Sequence, residues 1–172
     1  GCTAPKKDGG SSPSRAMARK TRGWLSIITR STEVIPAMLD YGVGVLSYSP
    51  LGGGLLAGKY LGMEKPPAGS RLDVRMGVDG PRFWHEKGFR IAEKLKALAD
   101  ETGASMAKLA LAWPLTRRFV SSVIIGVRSR TQLEENLAIC DWDMPGDIRL
   151  RLDEISAPEK DYLWSANEKN YK

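Results

Sequence analysis

Arg128, Ser129 and Arg130 stand between an apolar run, Ser121 to Gly126, and a segment with helical spacing. A helix starting there aims its unpaired N–H groups and the positive end of its dipole at whatever fills the preceding loop. The two guanidiniums can add charge-assisted bonds to a phosphate. Gln132, Glu135 and Asn136 follow at i, i+3 and i+4, one polar face of the same helix. Their amide and carboxylate groups suit the edge of an adenine ring. A capped, solvated helix face uses the same residue types, so the residues alone leave both readings open.

Ser49-Pro50-Leu51-Gly52-Gly53-Gly54 is the second candidate, and it directly follows the apolar run Val43 to Tyr48. Three glycines let backbone approach a pyrophosphate without side-chain interference, and their N–H groups can form an anion nest. A tight turn explains the same cluster. The segment matches neither a Walker loop nor a G-x-G-x-x-G fingerprint.

Both loops need strands and helices behind them. Leu25 to Thr29, Val43 to Tyr48 and Ser121 to Gly126 read as short buried strands. Between the first two, Val34, Ile35, Met38 and Leu39 recur at helical spacing, with Pro36 in the first turn and Gly42 as the stop. Residues 61–84 are rich in Pro and Gly without a period, and read as a long loop. From Glu86 an apolar stripe of Ile91, Ala92, Leu95, Leu98 and Ala99 predicts a helix ending at Gly103. Ser105 then caps a helix with Met106, Leu109, Ala110 and Trp113 on its face, and Pro114 ends or kinks it. Ser129 and Gln132 form a capping box opening a helix whose Leu133, Leu137 and Cys140 point to the core. A last helix begins near Pro145 with Ile148, Leu152 and Ile155 inward, and the polar tail from Pro158 lies over the surface. Alternating strands and helices predict an α/β fold with a parallel sheet.

Composition bounds the function. Residues 1–23 hold six basic side chains against Asp8 alone, so most of the formal net charge of +6 sits in that leader. The leader is rich in Gly, Ser, Pro and basic residues and predicts disorder. Its expected origin is a cloning or gene-model remnant, with an organelle transit peptide as the alternative. Residues 24–172 carry mixed signs rather than a basic face with stacking aromatics, so no nucleic-acid partner is expected. No run is long and apolar enough for a membrane span. Cys2 and Cys140 show no metal-site spacing, and a reducing, cytoplasmic compartment fits. The chain has 172 residues, whereas an eight-unit barrel typically needs about 250.

Tyr41 to Tyr60, YGVGVLSYSPLGGGLLAGKY, resembles the seventh-strand region of aldo-keto reductases, with Leu56-Ala57-Gly58 where Leu-Thr-Gly is commoner. Residues 110–139, ALAWPLTRRFVSSVIIGVRSRTQLEENLAI, are similar to the same family's eighth strand and G-x-[RS]-x-x-x-Q-L-x-E-N helix, although Pro114 is unusual there. The resemblance covers residues 24–165 in order and spacing. It implies the C-terminal portion of a (β/α)8 TIM barrel, incomplete in this chain. It also implies a function: NADPH-dependent hydride transfer between nicotinamide and an aldehyde or ketone, with NADP(H) as cofactor. Carried over from the family, Tyr48 stacks on nicotinamide, while Ser49, Pro50, Leu51, Gly52, Gly53 and Lys59 line the pyrophosphate, joined by Arg71. Gly126, Arg128, Gln132, Glu135 and Asn136 hold the adenosine end, and Arg128 favours a 2′-phosphate, hence NADPH over NADH.

The family's catalytic Tyr, Lys, Asp and His come from the first half of the barrel. The lone histidine, His85, follows the seventh-strand motif and reads as a loop or helix-start residue. Tyr41, Tyr48, Tyr60, Tyr162 and Tyr171 also fall too late in the order, so no catalytic residue is assigned. Three strands of a barrel leave two edges with unpaired backbone groups. The sequence therefore predicts a marginal isolated chain: partly ordered, dimeric through its sheet edges, or dependent on a complementary barrel half. The alternative function is a non-catalytic NADP(H)-binding or oligomer-forming module. Salt-sensitive nucleic-acid binding through the leader ranks last.

Overall fold

Parallel pairing organises the sheet in a computed structural model, which describes residues 19–22 and 34–157. Strand β1 (Arg19–Arg22), strand β2 (Val45–Tyr48) and strand β3 (Val120–Ile124) lie in that spatial order, all parallel. Val45 and Ser47 of β2 are buried while Leu46 and Tyr48 are partly exposed, as side chains alternating across a sheet require. Tyr48 is in register with Ile124, so the loops after β2 and β3 leave the sheet side by side at its carboxyl edge. The register slips by one residue between Val45 and Leu46.

The first strand differs from the sequence expectation. Its four residues lie inside the basic leader, and Leu25 to Thr29 falls outside the described residues. Arg-Lys-Thr-Arg has no apolar signal; what makes it a strand is the main-chain edge of β2, which accepts any partner of suitable length. The tail from Pro158 also lies outside the described residues.

Helix α1 (Val34–Asp40) places Pro36 in its first turn, where a missing N–H interrupts no hydrogen bond. Residues 61–84 are not a bare loop. They carry helix α2 (Arg71–Val74) and helix α3 (Met76–Phe83). Ser70 caps α2 by accepting the Asp73 N–H at 3.3 Å, and Leu72 and Phe83 anchor the pair in the core. Gly77, Gly80 and Pro81 hide this helix from a periodicity search, because they are the residues that usually break one.

Helix α4 (Glu86–Thr102) is the centre of the core. Ile91, Ala92, Leu95, Leu98 and Ala99 are all buried, the stripe that the sequence shows. Each fully buried Leu contributes about 2 kcal/mol of transfer free energy, so shortening Leu95 is expected to destabilise strongly. Gly88 sets the start of α4 against α3: a Cβ there would lie 2.5 Å from the Phe83 carbonyl oxygen. Only glycine permits that approach.

Helix α5 (Met106–Leu115) starts at Ser105, whose Oγ accepts the Lys108 N–H at 3.1 Å, and it ends one residue after Pro114. Helix α6 (Arg130–Leu137) and helix α7 (Gly146–Ser156) complete the chain. Trp113 Nε1 donates to Asp153 Oδ1 at 2.7 Å, tying α5 to α7, and Arg117 pairs with the same carboxylate while lying over the Trp113 ring. On α7, Ile148 and Leu152 are buried and Ile155 partly so, as expected. On α6 the expectation fails. Leu133 and Leu137 are exposed, as is Cys140 beyond the helix end, and Asn136 on the helix and Ile139 after it are buried instead. The inward face of α6 is set by its contact with α5, which the apolar spacing within α6 does not report.

Candidate functional site

Ser49 leaves the end of β2 at φ 57°, a left-handed conformation that is uncommon for a residue with a side chain. Such outliers concentrate at ligand sites, where surrounding structure holds the strain. Gly52, Gly53 and Gly54 continue it at φ 55°, 70° and 109°, and fold residues 52–57 into an irregular 3-10 turn. Inside this turn Gly52 N–H donates to the Ser49 carbonyl at 3.0 Å, and Gly54 N–H to the Leu51 carbonyl at 2.9 Å. Tyr60 Oη braces it by donating to the Gly53 carbonyl at 3.4 Å.

Beside it, β3 opens into Ile125 to Ser129 and then α6. Ser129 Oγ accepts the Gln132 N–H at 3.2 Å, capping the helix. The reciprocal bond differs from an ordinary capping box, since Gln132 Oε1 accepts the Arg128 N–H at 3.0 Å, one residue earlier. Arg128 is exposed, and its backbone is held by this contact.

A cleft of about 1240 Å³ runs between the two loops and the start of α6. Of the thirteen residues predicted for the cofactor, twelve line it: Tyr48, Ser49, Pro50, Leu51, Gly53, Lys59, Arg71, Gly126, Arg128, Gln132, Glu135 and Asn136. Gly52 does not. It is buried, and a Cβ there would face Phe83, Leu55 and Leu56. Its φ turns it toward the core, and its N–H is spent on Ser49. Arg130, expected beside the phosphate, instead pairs with Glu134 at 2.6 Å on the outer side of α6.

The lining is electropositive. Lys59, Arg71, Arg75, Lys96 and Arg128 face it against Asp100 and Glu135, and Lys96 is already paired with Asp100. Arg75, Lys96 and Asp100 were not singled out from the sequence. Arg75 sat in a segment read as loop, and the Lys96–Asp100 pair looks like any i, i+4 surface bridge.

His85, expected at a helix start, caps α4. Its Nδ1 accepts the Gly88 N–H at 3.0 Å, and Nε2 lies 3.0 Å from the Arg82 carbonyl. Both ring nitrogens are thereby engaged in local structure. Among the described residues no group of His, Cys, Asp and Glu is placed to hold a metal ion, and no helix is long and apolar enough to cross a membrane.

Known proteins resemble this chain in fold and in sequence. The structure superposes on a glycerol dehydrogenase, AKR11B4, from Gluconobacter oxydans with a TM-score of 0.61 and 22% identity, covering 80% of this chain and 41% of that one. At that identity the match shows a shared fold alone. In sequence, the chain is 36% identical to an uncharacterized oxidoreductase, YrpG, of Bacillus subtilis (strain 168), over 74% of this chain and 36% of that protein. It is 35% identical to a probable voltage-gated potassium channel subunit beta of Arabidopsis thaliana, over 64% of this chain and 34% of that protein. An L-glyceraldehyde 3-phosphate reductase of Escherichia coli (strain K12) is 32% identical over 78% of this chain and 39% of its own length. The chain thus spans between about a third and two fifths of these relatives. The model of the aldo/keto reductase family matches residues 23–157, which takes in both loops and all the helices from α1 to α7. With the parallel strands and the shared fold, that match places this chain in the aldo/keto reductase family.

Proposed function

We propose that the chain is the C-terminal, cofactor-binding portion of an NADPH-dependent aldo-keto reductase, the whole enzyme moving hydride between nicotinamide and an aldehyde or ketone. One observation carries the reading: eleven residues from two distant segments, joined by Arg71 from a third, converge on a single cleft at the carboxyl ends of parallel strands. Ligands in α/β folds bind at that edge.

The residues fit NADPH. The cleft exceeds the roughly 300–1,000 Å³ of ordinary small-molecule pockets, as an extended dinucleotide needs. Gly53 sits at φ 70°, where a side chain is strained, and a Cβ there would also press on Leu72 Cδ2 at 3.1 Å, so glycine suits the turn. Lys59 and Arg71 would face the pyrophosphate, Arg128 the 2′-phosphate, and Gln132, Glu135 and Asn136 the adenine. Tyr48 would stack on the nicotinamide, which supplies the hydride when bound. No residue of this chain is assigned to proton donation, because the family's catalytic positions lie earlier in the barrel order. In this reading the sheet edges at β1 and β3 take a second copy or a complementary barrel half.

Titration with NADPH and NADH tests the reading by nicotinamide fluorescence. Binding that prefers NADPH and is lost in the Arg128→Ala, Gln132→Ala double variant supports it. No binding at millimolar cofactor overturns it.

A second reading is a non-catalytic NADP(H)-binding module, favoured by the likeness to a protein named as a channel subunit. A panel of carbonyl substrates with NADPH separates the two. Substrate-dependent loss of the reduced-nicotinamide absorbance by this chain excludes the non-catalytic reading.

A further inference from the structure

Asp79 is a buried carboxylate ringed by three guanidiniums. Its side chain is only 4% exposed. Arg75 Nε donates to Oδ2 at 2.9 Å, Arg71 Nε lies 3.8 Å from the same oxygen, and Arg82 Nη1 lies 3.6 Å from Oδ1. Buried carboxylates are paired or hydrogen-bonded, and here three guanidiniums share one carboxylate. Arg71, Arg75 and Arg82 against Asp73 and Asp79 leave one excess positive charge over residues 71–83. Arg71 and Arg75 both line the cleft, whereas Arg82 and Asp79 do not.

We propose that Asp79 is a positioning residue that holds Arg71 and Arg75 from behind the cleft wall as a pair of guanidiniums for the cofactor pyrophosphate, making Arg75 a phosphate contact outside the recognised motifs. The inference rests on the NADPH reading above. Arg71 and Arg75 are four residues apart and share one carboxylate oxygen, Arg75 through an Nε hydrogen bond at 2.9 Å and Arg71 through a looser ion pair at 3.8 Å. A guanidinium anchored through Nε keeps its terminal N–H donors for a second anion. The anchor also lowers the side-chain entropy lost when the ligand binds. Two adjacent phosphates, each needing donors, match two guanidiniums held side by side better than a single carboxylate or sulfate does.

The test compares two ligands on the full chain. NADPH carries both the pyrophosphate and the 2′-phosphate; adenosine 2′-monophosphate lacks the pyrophosphate. Losing one charge-assisted contact is expected to weaken binding about tenfold or more. Arg75→Gln and Asp79→Asn are each expected to raise the NADPH dissociation constant by about that factor and leave that of adenosine 2′-monophosphate unchanged. Arg75→Lys, which keeps the charge but not the fork, is expected to recover part of the loss. Arg75 is half exposed, so its variants keep the test open even where Asp79→Asn fails to fold. Wild-type affinity for NADPH in Arg75→Gln overturns this inference and leaves the NADPH reading standing. Equal weakening of both ligands also overturns it, since a general disturbance would act on both. Failure of the unaltered chain to bind NADPH removes both proposals.

Discussion

Gln132 Oε1 accepts the backbone N–H of Arg128 at 3.0 Å, while the Gln132 N–H is itself held by Ser129 Oγ at 3.2 Å. The side chain of one residue thus fixes the backbone that presents the other. Both bonds are made within the chain between β3 and α6, so they brace the backbone from which Arg128 is presented. Gln132 therefore has a local role besides any contact with adenine.

The two residues are separable on that account. Arg128→Ala is expected to weaken NADPH about tenfold or more, the scale of a charge-assisted bond, and to leave NADH nearly unchanged. Gln132→Ala is expected to weaken both, because the loop loosens for either ligand. Dissociation constants for the two cofactors, measured on each variant, check the difference. A Gln132→Ala variant that discriminates like Arg128→Ala would remove the positioning role.

Long, locally encoded helices were legible in the sequence. The stripe on α4 and the Ser105 cap of α5 are contained in a dozen residues each, and the structure keeps both. Contacts made across the fold were not legible. The inward turn of Asn136 depends on α5, the pairing of β1 depends on the edge of β2, and α3 depends on Phe83 reaching the core past Pro81. The site divides in the same way. Motif residues were found because backbone geometry demands them at fixed spacing; Arg75 was missed because its partner, Asp79, becomes visible only when α3 is folded.

Glu101 predicts a pH dependence. Arg151 Nη1 lies 2.6 Å from Glu101 Oε2, bridging α4 and α7. Hydrogen bonding to Arg151, then its charge, holds the Glu101 carboxyl below the ordinary glutamate range. A carboxylate with a depressed folded pKa adds stability above its unfolded pKa and loses it as pH falls through the folded value. The stabilisation is therefore full near neutrality and fades in acid, below the usual glutamate titration. Glu101→Gln should lower the melting temperature slightly at neutral pH and have no effect at strongly acid pH. High salt should shrink the neutral-pH effect, because the pair is exposed. Melting curves over pH, with and without added salt, read both trends.

Ser47 offers the opposite case, a substitution expected to stabilise. It lies on β2, fully buried, and its Oγ has no hydrogen-bond partner among the described residues. An unsatisfied buried hydroxyl forfeits its bonds to water and regains none, at a cost of about 1–3 kcal/mol. Alanine removes the hydroxyl and little else, leaving a void smaller than a methyl group, whose penalty is below that range. Ser47→Ala is therefore expected to raise stability by about 1 kcal/mol, or roughly 2–4 °C in melting temperature for a chain of this size. Its side chain is buried, whereas its neighbour Tyr48 lines the cleft, so NADPH affinity should not change. Thermal melts and cofactor titrations on the same preparation decide it. A lower melting temperature would mean that the hydroxyl has a partner in solution, and would point to a water bound against β2.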